Sequence, residues 1–165
     1  MKFGKFDSFE TFIDSYRAAE RRKASEDLAT MPQDLALEKI RSDKVRAVVE
    51  VKAKVAEDLG NEGGEASHQH FLINIDSAKQ IAEAVEDDVN RVIEAQENVF
   101  LAIRYGDSMG LTAPVEGMTV GAAFDAQGEW IPKDKAYAHG GENMSVLHFT
   151  HHPLGFICSP LRCYS

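Results

Sequence analysis

Lys44-Val45-Arg46-Ala47-Val48-Val49-Glu50-Val51-Lys52-Ala53-Lys54-Val55 is where the chain changes period. Val45, Ala47, Val49, Val51, Ala53 and Val55 alternate with charged residues, with Val48 as the exception. Side chains two apart share one face of a strand, so this spacing predicts a long half-buried β-strand.

On the C-terminal side, Glu57–Ser67 is rich in Gly and Glu and reads as a loop. Ser67–Ile75 is a second strand: Phe71, Ile73 and Ile75 face one way, and His68, His70, Leu72 and Asn74 the other. Residues 76–98 read as an acidic amphipathic helix capped by Asp76 or Ser77, with Ile81, Val85, Val89 and Val92 on its apolar stripe. Val99–Tyr105 is a third strand. A fourth is expected through Met118, Val120, Ala122 and Phe124, with a turn at 125–129 before Trp130. Ser145–His152 is the last long strand, with Leu147, Phe149 and His151 on one side and Val146, His148, Thr150 and His152 on the other. That alternation makes His151 a candidate buried histidine and leaves His148 and Thr150 as exposed site candidates.

On the N-terminal side the period is helical. Phe9, Phe12, Ile13 and Tyr16 line one face of a helix over 7–29, and Pro32 opens a second over 32–42. The expected organisation is α+β: a helical arm at 1–43, then a barrel domain at 44–165 with its helix at 76–98. The aromatic stripe suits packing within the chain or a homodimer through the arm. The Arg21-Arg22-Lys23 run reads as a solvated face, offset by Glu20, Glu26 and Asp27.

Charge narrows the partners. The chain carries 27 Asp and Glu against 18 Lys and Arg, for a net charge of −9. Long-range repulsion disfavours sequence-independent binding to nucleic-acid phosphates, and docking on a basic protein surface is the corresponding positive reading. No apolar run approaches the ~18 residues that span a bilayer. The opening residues lack the apolar core of a secretory leader. A cytoplasmic location is therefore expected, and with it two free thiols at Cys158 and Cys163. As hairpin neighbours across Ser159-Pro160-Leu161-Arg162, these cysteines are also placed to form a disulfide or to present two thiolates to a metal.

About five strands with an intervening helix give a small β-barrel. Val115-Glu116-Gly117-Met118-Thr119-Val120-Gly121-Ala122 is similar to the Gly-led strand entry of oligonucleotide- and oligosaccharide-binding (OB) folds, so the expected barrel is OB-like. The helix falls between the second and third strands, where a five-stranded Greek-key barrel more often carries one between the third and fourth.

Residues 45–165 further resemble a family of small bacterial proteins of uncharacterised function with an OB-like barrel. The family pattern has a His-Gln-Arg-Phe strand, a Gly-led strand ending near Trp, and Gly-Gly-Val-(Ile/Val)-His-Trp-Thr-His-His. This chain has His68-Gln69-His70-Phe71, Gly128-Glu129-Trp130, and Gly140-Gly141 followed by Val146-Leu147-His148-Phe149-Thr150-His151-His152. Gly155-Phe156-Ile157 and Tyr164 fit the family's ending. His70 stands where the pattern has Arg, Phe149 where it has Trp, and the acidic helix is an addition. The resemblance implies the barrel and a grouping of His68 with 148–152; it implies no activity.

The histidines carry the chemical readings. His68, His70, His148 and His152 are candidate ligands for a divalent metal, zinc first, since neutral imidazoles bind it at ~2.0–2.1 Å. Asp125, Asp134 or Glu142 would orient a ring. A metal with an open position would activate water, making the chain a hydrolase or nuclease with His148 and His68 as catalytic groups. Without metal, two histidines serve as general acid and base on a phosphodiester. His148-Phe149-Thr150 is similar to one His-x-Thr element of the two-histidine phosphodiesterases, and the second element is missing. The leading expectation is a soluble OB-like domain whose histidine cluster binds a small ligand or divalent metal. The alternatives are the metal-dependent hydrolase and an acidic interaction protein. No P-loop, dinucleotide fingerprint or Gly-x-Ser-x-Gly elbow is present.

Overall fold

The computed structural model describes residues 47–62, 67–107, 110–136, 143–152 and 155–165. The expected helices of the arm, with the basic run and the proposed dimer stripe, lie outside the described residues.

Among the described residues, seven strands and one α-helix follow one another: β1 (Val48–Glu62), β2 (Ser67–Ile81), a 3₁₀ turn (Glu83–Val85), α1 (Glu86–Ala95), β3 (Val99–Tyr105), β4 (Ala123–Ile131), β5 (Val146–His148), β6 (Phe156–Cys158) and β7 (Cys163–Tyr164). The strands join in the order β1-β2-β3-β5-β4, and β4 returns to β1, closing a five-stranded barrel. β3 and β5 are parallel, and the other barrel pairs are antiparallel. β6 and β7 extend the sheet beyond β4.

The alternation around Val49 explains the closure. Val49, Val51, Ala53 and Val55 point inward, and none is more than 2 % exposed. They meet Phe71, Ile73 and Ile75 of β2, Val99, Leu101 and Ile103 of β3, Phe124, Ala126 and Trp130 of β4, and Leu147 of β5. β1 pairs with β2 on one edge and β4 on the other. Four register shifts along its pairing with β2 mark bulges, which bend a strand and increase its twist. A strand this long needs that bending to serve both neighbours in a small barrel.

The structure lengthens the first two strands beyond the sequence reading. Residues 57–62 continue β1 rather than forming a loop, because their backbone stays paired with His68–Leu72 of β2. Asp76–Ile81 likewise continues β2, with Ile81 opposite Val49, so the helix expected over 76–98 is confined to Glu86–Ala95. Asp76 pairs with Lys54 of β1 rather than capping a helix. The segment 125–129, expected as a turn, is the middle of β4.

Helix α1 lies between β2 and β3. Val85, Val89 and Val92 join the barrel core, while Glu86, Asp87 and Asp88 sit in the first turn, where carboxylates complement the helix dipole. Asp88 fastens it to the barrel. It accepts hydrogen bonds from Trp130 Nε1 at 2.8 Å and Ser145 Oγ at 2.7 Å, and pairs with Arg91 at 2.7 Å. Burial, the largest single influence, pushes the Asp88 carboxyl up; the hydrogen bonds from Arg91, Ser145 and Trp130 together outweigh it and hold it below the usual value.

The loop before β4 is fastened by a side chain acting as backbone. Val115 N donates to Gln69 Oε1 at 2.7 Å, and Gln69 Nε2 donates to Val115 O at 3.2 Å. At the C-terminus, Cys158 and Cys163 face each other across β6 and β7 and form a disulfide, contrary to the expectation of free thiols. Tyr164 OH accepts from Glu116 N at 2.8 Å. No helix among the described residues is long and apolar enough to cross a membrane.

Candidate functional site

The last expected strand is split. β5 pairs with Glu129–Ile131 of β4, and β6 pairs with Asp125–Gln127 of the same strand, in the same antiparallel sense. Together β5 and β6 follow one track along β4, which the chain leaves after His148 and rejoins at Phe156. This excursion carries Thr150, His151 and His152.

Departure and return are tightly built. Phe149 has φ +51°, in the left-handed region. A bulky residue rarely adopts that conformation, and strained backbone of this kind concentrates at functional sites. Gly128 of β4 lies beneath the departure; an added Cβ there would be 2.3 Å from the His148 carbonyl oxygen. At the return, a Cβ on Gly155 would be 2.0 Å from Gln127 O and 2.5 Å from Phe149 O. Gly155 N donates to His151 O at 2.8 Å and closes the excursion.

The left-handed turn at Phe149 also breaks the alternation expected beyond it. Thr150 is fully buried rather than an exposed site candidate, because the strand has ended. His151 is buried, at 6 % exposure, and its Nδ1 lies 2.9 Å from the carbonyl oxygen of His152. Thr150 Oγ1 and His151 Nε2 are buried with no hydrogen-bond partner among the described residues. The Phe149 ring is 40 % exposed and touches both neighbouring imidazoles, with centroids 4.4 Å from His148 and 5.7 Å from His151.

His148 is half-buried on the outer face of β5, directly opposite Glu129 of β4. Its Nε2 lies 3.2 Å from Glu129 Oε2, close enough for a charge contact but without the alignment of a hydrogen bond. Burial holds its pKa below the ordinary imidazole value; the Glu129 carboxylate opposes that shift, and His151 adds to it.

The upstream pair lies elsewhere on the outer surface. His68 and His70 are half-buried on β2, opposite Arg104 and Ala102 of β3. Their rings stack at 5.9 Å, and His70 meets Phe100 at 5.0 Å. β3 pairs with β5 at Phe100–Val146 and Leu101–Leu147, so continuing the register sets Ala102 beside His148. His70 and His148 therefore share a face with β3 between them, two strand spacings or roughly 10 Å apart. His152 is half-buried beyond the left-handed turn, off that row.

Among the described residues, no group of three or more His, Cys, Asp or Glu side chains is placed to hold a metal ion. Of the expected orienting carboxylates, Asp125 pairs with Lys79 at 3.5 Å, Asp134 is exposed in the turn after β4, and Glu142 lies outside the described residues. The carboxylate that meets a histidine is Glu129, which the sequence reading assigned to a turn. Its signal was the strand alternation running into Trp130, which pairs with Leu147 and thereby sets Glu129 beside His148.

No family model, curated protein or solved structure matches the chain.

Proposed function

We propose that this chain is an OB-like ligand-binding domain whose seat is the outer patch of Glu129, His148 and Phe149, with the buried His151 beside it. The circular strand order β1-β2-β3-β5-β4, with β3 and β5 parallel, supports the OB-like reading. OB folds take ligands on the outer face of strands 2 and 3 and in neighbouring loops. The helix between β2 and β3 is a departure from the usual placement.

The observation that carries the seat is the excursion at Phe149. A partly exposed ring on left-handed backbone lies between two imidazoles, and the buried Nε2 of one of them, His151, lacks a hydrogen-bond partner among the described residues. Such atoms are costly unless something satisfies them, and a ligand does so directly. His70 and His68 extend the same face by two strands and give a larger ligand a second contact.

The test is an amide NMR screen of the full chain against a fragment library. Hits should move the amides of Glu129, His148, Phe149 and His151, and His148→Ala should abolish those shifts while the spectrum stays folded. Hits that bind elsewhere and leave these amides unmoved would refute the seat.

A further inference from the structure

The C-terminal hairpin is clipped onto the loop that precedes β4. Val115 and Met118 of that loop are buried in the barrel core. The barrel anchors the loop at two places: Val115 exchanges hydrogen bonds with Gln69, and Gly121 N donates to Val55 O at 2.8 Å. Between the anchors the hairpin supplies the contacts. Glu116 N donates to Tyr164 OH at 2.8 Å, and the Arg162 guanidinium lies 3.6 Å from the Glu116 carboxylate. Leu161 lies against Gly117, where an added Cβ would be 3.0 Å from its Cγ. Tyr164 belongs to β7, a strand of two residues whose pairing among the described residues is with β6 alone. So short a strand at a chain end frays unless it is tied. Its tie is the disulfide, since Cys163 precedes Tyr164 and faces Cys158 directly. Cys158 is 6 % exposed, and Cys163 is the more open of the two. The turn between them has bonds of its own. Ser159 N donates to Arg162 O at 3.0 Å, and Ser159 Oγ accepts from Leu161 N at 3.3 Å and Arg162 N at 3.4 Å.

We propose that the Cys158–Cys163 disulfide is a redox latch on this loop, opened by a dithiol reductant. One thiolate of the reductant attacks Cys163 Sγ and forms a sulfur–sulfur bond to it. The bond to Cys158 breaks, and its electron pair leaves on Cys158, which takes up a proton. The second thiolate then displaces Cys163 in the same way. The reductant ends as a cyclic disulfide and the chain as two thiols, with two electrons transferred. β7 then frays, Tyr164 OH leaves Glu116 N, and 116–118 loosens between anchors that stay in place. The turn at 159–162 keeps the thiols neighbours, so oxidation closes the latch again. None of this depends on the ligand-seat reading above.

The experiment is amide hydrogen exchange, followed by NMR on the full chain, oxidised and after dithiothreitol. Alkylation and mass spectrometry confirm that both thiols are free. The Glu116 amide should exchange about tenfold faster or more when reduced, as expected when a cross-link no longer restricts the open chain. The amides of Val115, Val55 and Trp130, bonded to Gln69, Ala122 and Ala47, should keep their protection. Reoxidation should restore slow exchange at Glu116. The double variant Cys158→Ser, Cys163→Ser should show the fast exchange without reductant and ignore dithiothreitol. Tyr164→Phe keeps the disulfide and removes the acceptor, so Glu116 should exchange fast in both states. Equal Glu116 exchange in the oxidised and reduced parent chain overturns the latch. So does slow exchange in Tyr164→Phe, or resistance of the folded chain to dithiothreitol. Loss of protection at Val55 and Trp130 along with Glu116 also overturns it, by making the disulfide a brace for the whole barrel.

Discussion

Gly155 has no side chain because two carbonyl oxygens, Gln127 O and Phe149 O, occupy the space where one would begin. Both belong to backbone, which cannot swing away as a long side chain would. Gly155→Ala should therefore lower stability by about 2–3 kcal/mol, the upper part of the range for overpacking, read as a lower urea midpoint. Phe149 is the complementary case, where a side chain is kept despite an unfavourable φ. The sequence shows that a glycine and a phenylalanine occupy these positions. It does not show that backbone from β4 passes within contact of one, or that the other sits in the left-handed region. Both depend on strands far apart in the chain, which is why the alternation written through residue 152 failed after His148. The histidine content of the site was legible in the sequence; its carboxylate and its buried polar atoms were not.

At the scale of the element, α1 is held by its apolar stripe and by one carboxylate. The stripe of Val85, Val89 and Val92 was readable from helical spacing. The first turns of the expected helix were not, because Asp76–Ile81 has a pattern that suits either structure and the pairing with β1 decides it. Asp88 joins three donors from α1, β4 and the segment before β5. Asp88→Ala should cost about 2–4 kcal/mol, since hydrogen bonds to a charged group are lost and Trp130 Nε1 and Ser145 Oγ are left buried. Trp130 is the single tryptophan, so fluorescence reports the loss directly. The folded-state pKa of Asp88 lies below its ordinary value of 3.8. Its contribution is therefore fully present above that value and is lost as pH falls through the folded pKa. Urea midpoints from pH 5 down to pH 2 should fall less steeply in Asp88→Asn than in the parent protein. Equal slopes would contradict this account.

For the whole molecule, the barrel closes without its tail. The circuit β1-β2-β3-β5-β4 is complete before β6 begins, and the Cys158–Cys163 disulfide joins two strands outside it. A bridge between residues five apart in sequence closes a small loop and restricts the unfolded chain little, by about 2 kcal/mol in the chain-entropy treatment. Reduction should therefore lower the urea midpoint modestly and leave the Trp130 fluorescence and the far-ultraviolet spectrum of the barrel in place. Global unfolding on reduction would refute this division. The barrel itself was legible because every strand of the circuit carries period-two alternation into one core. The split of the last strand was not, since no local pattern marks where a chain leaves a ladder and rejoins it.

β5 and β6 lie along β4 as a road lies either side of a diversion. The route resumes on its original line, so the strand pairing registers only where the diversion starts and ends, while Thr150 and His151 along it are buried. Thr150 and His151 are fixed by burial, which leaves the partly exposed Phe149 and His152 as the described positions with room to vary. New recognition chemistry written there would leave the architecture around it unaltered, provided that the close approaches at Gly128 and Gly155 are respected.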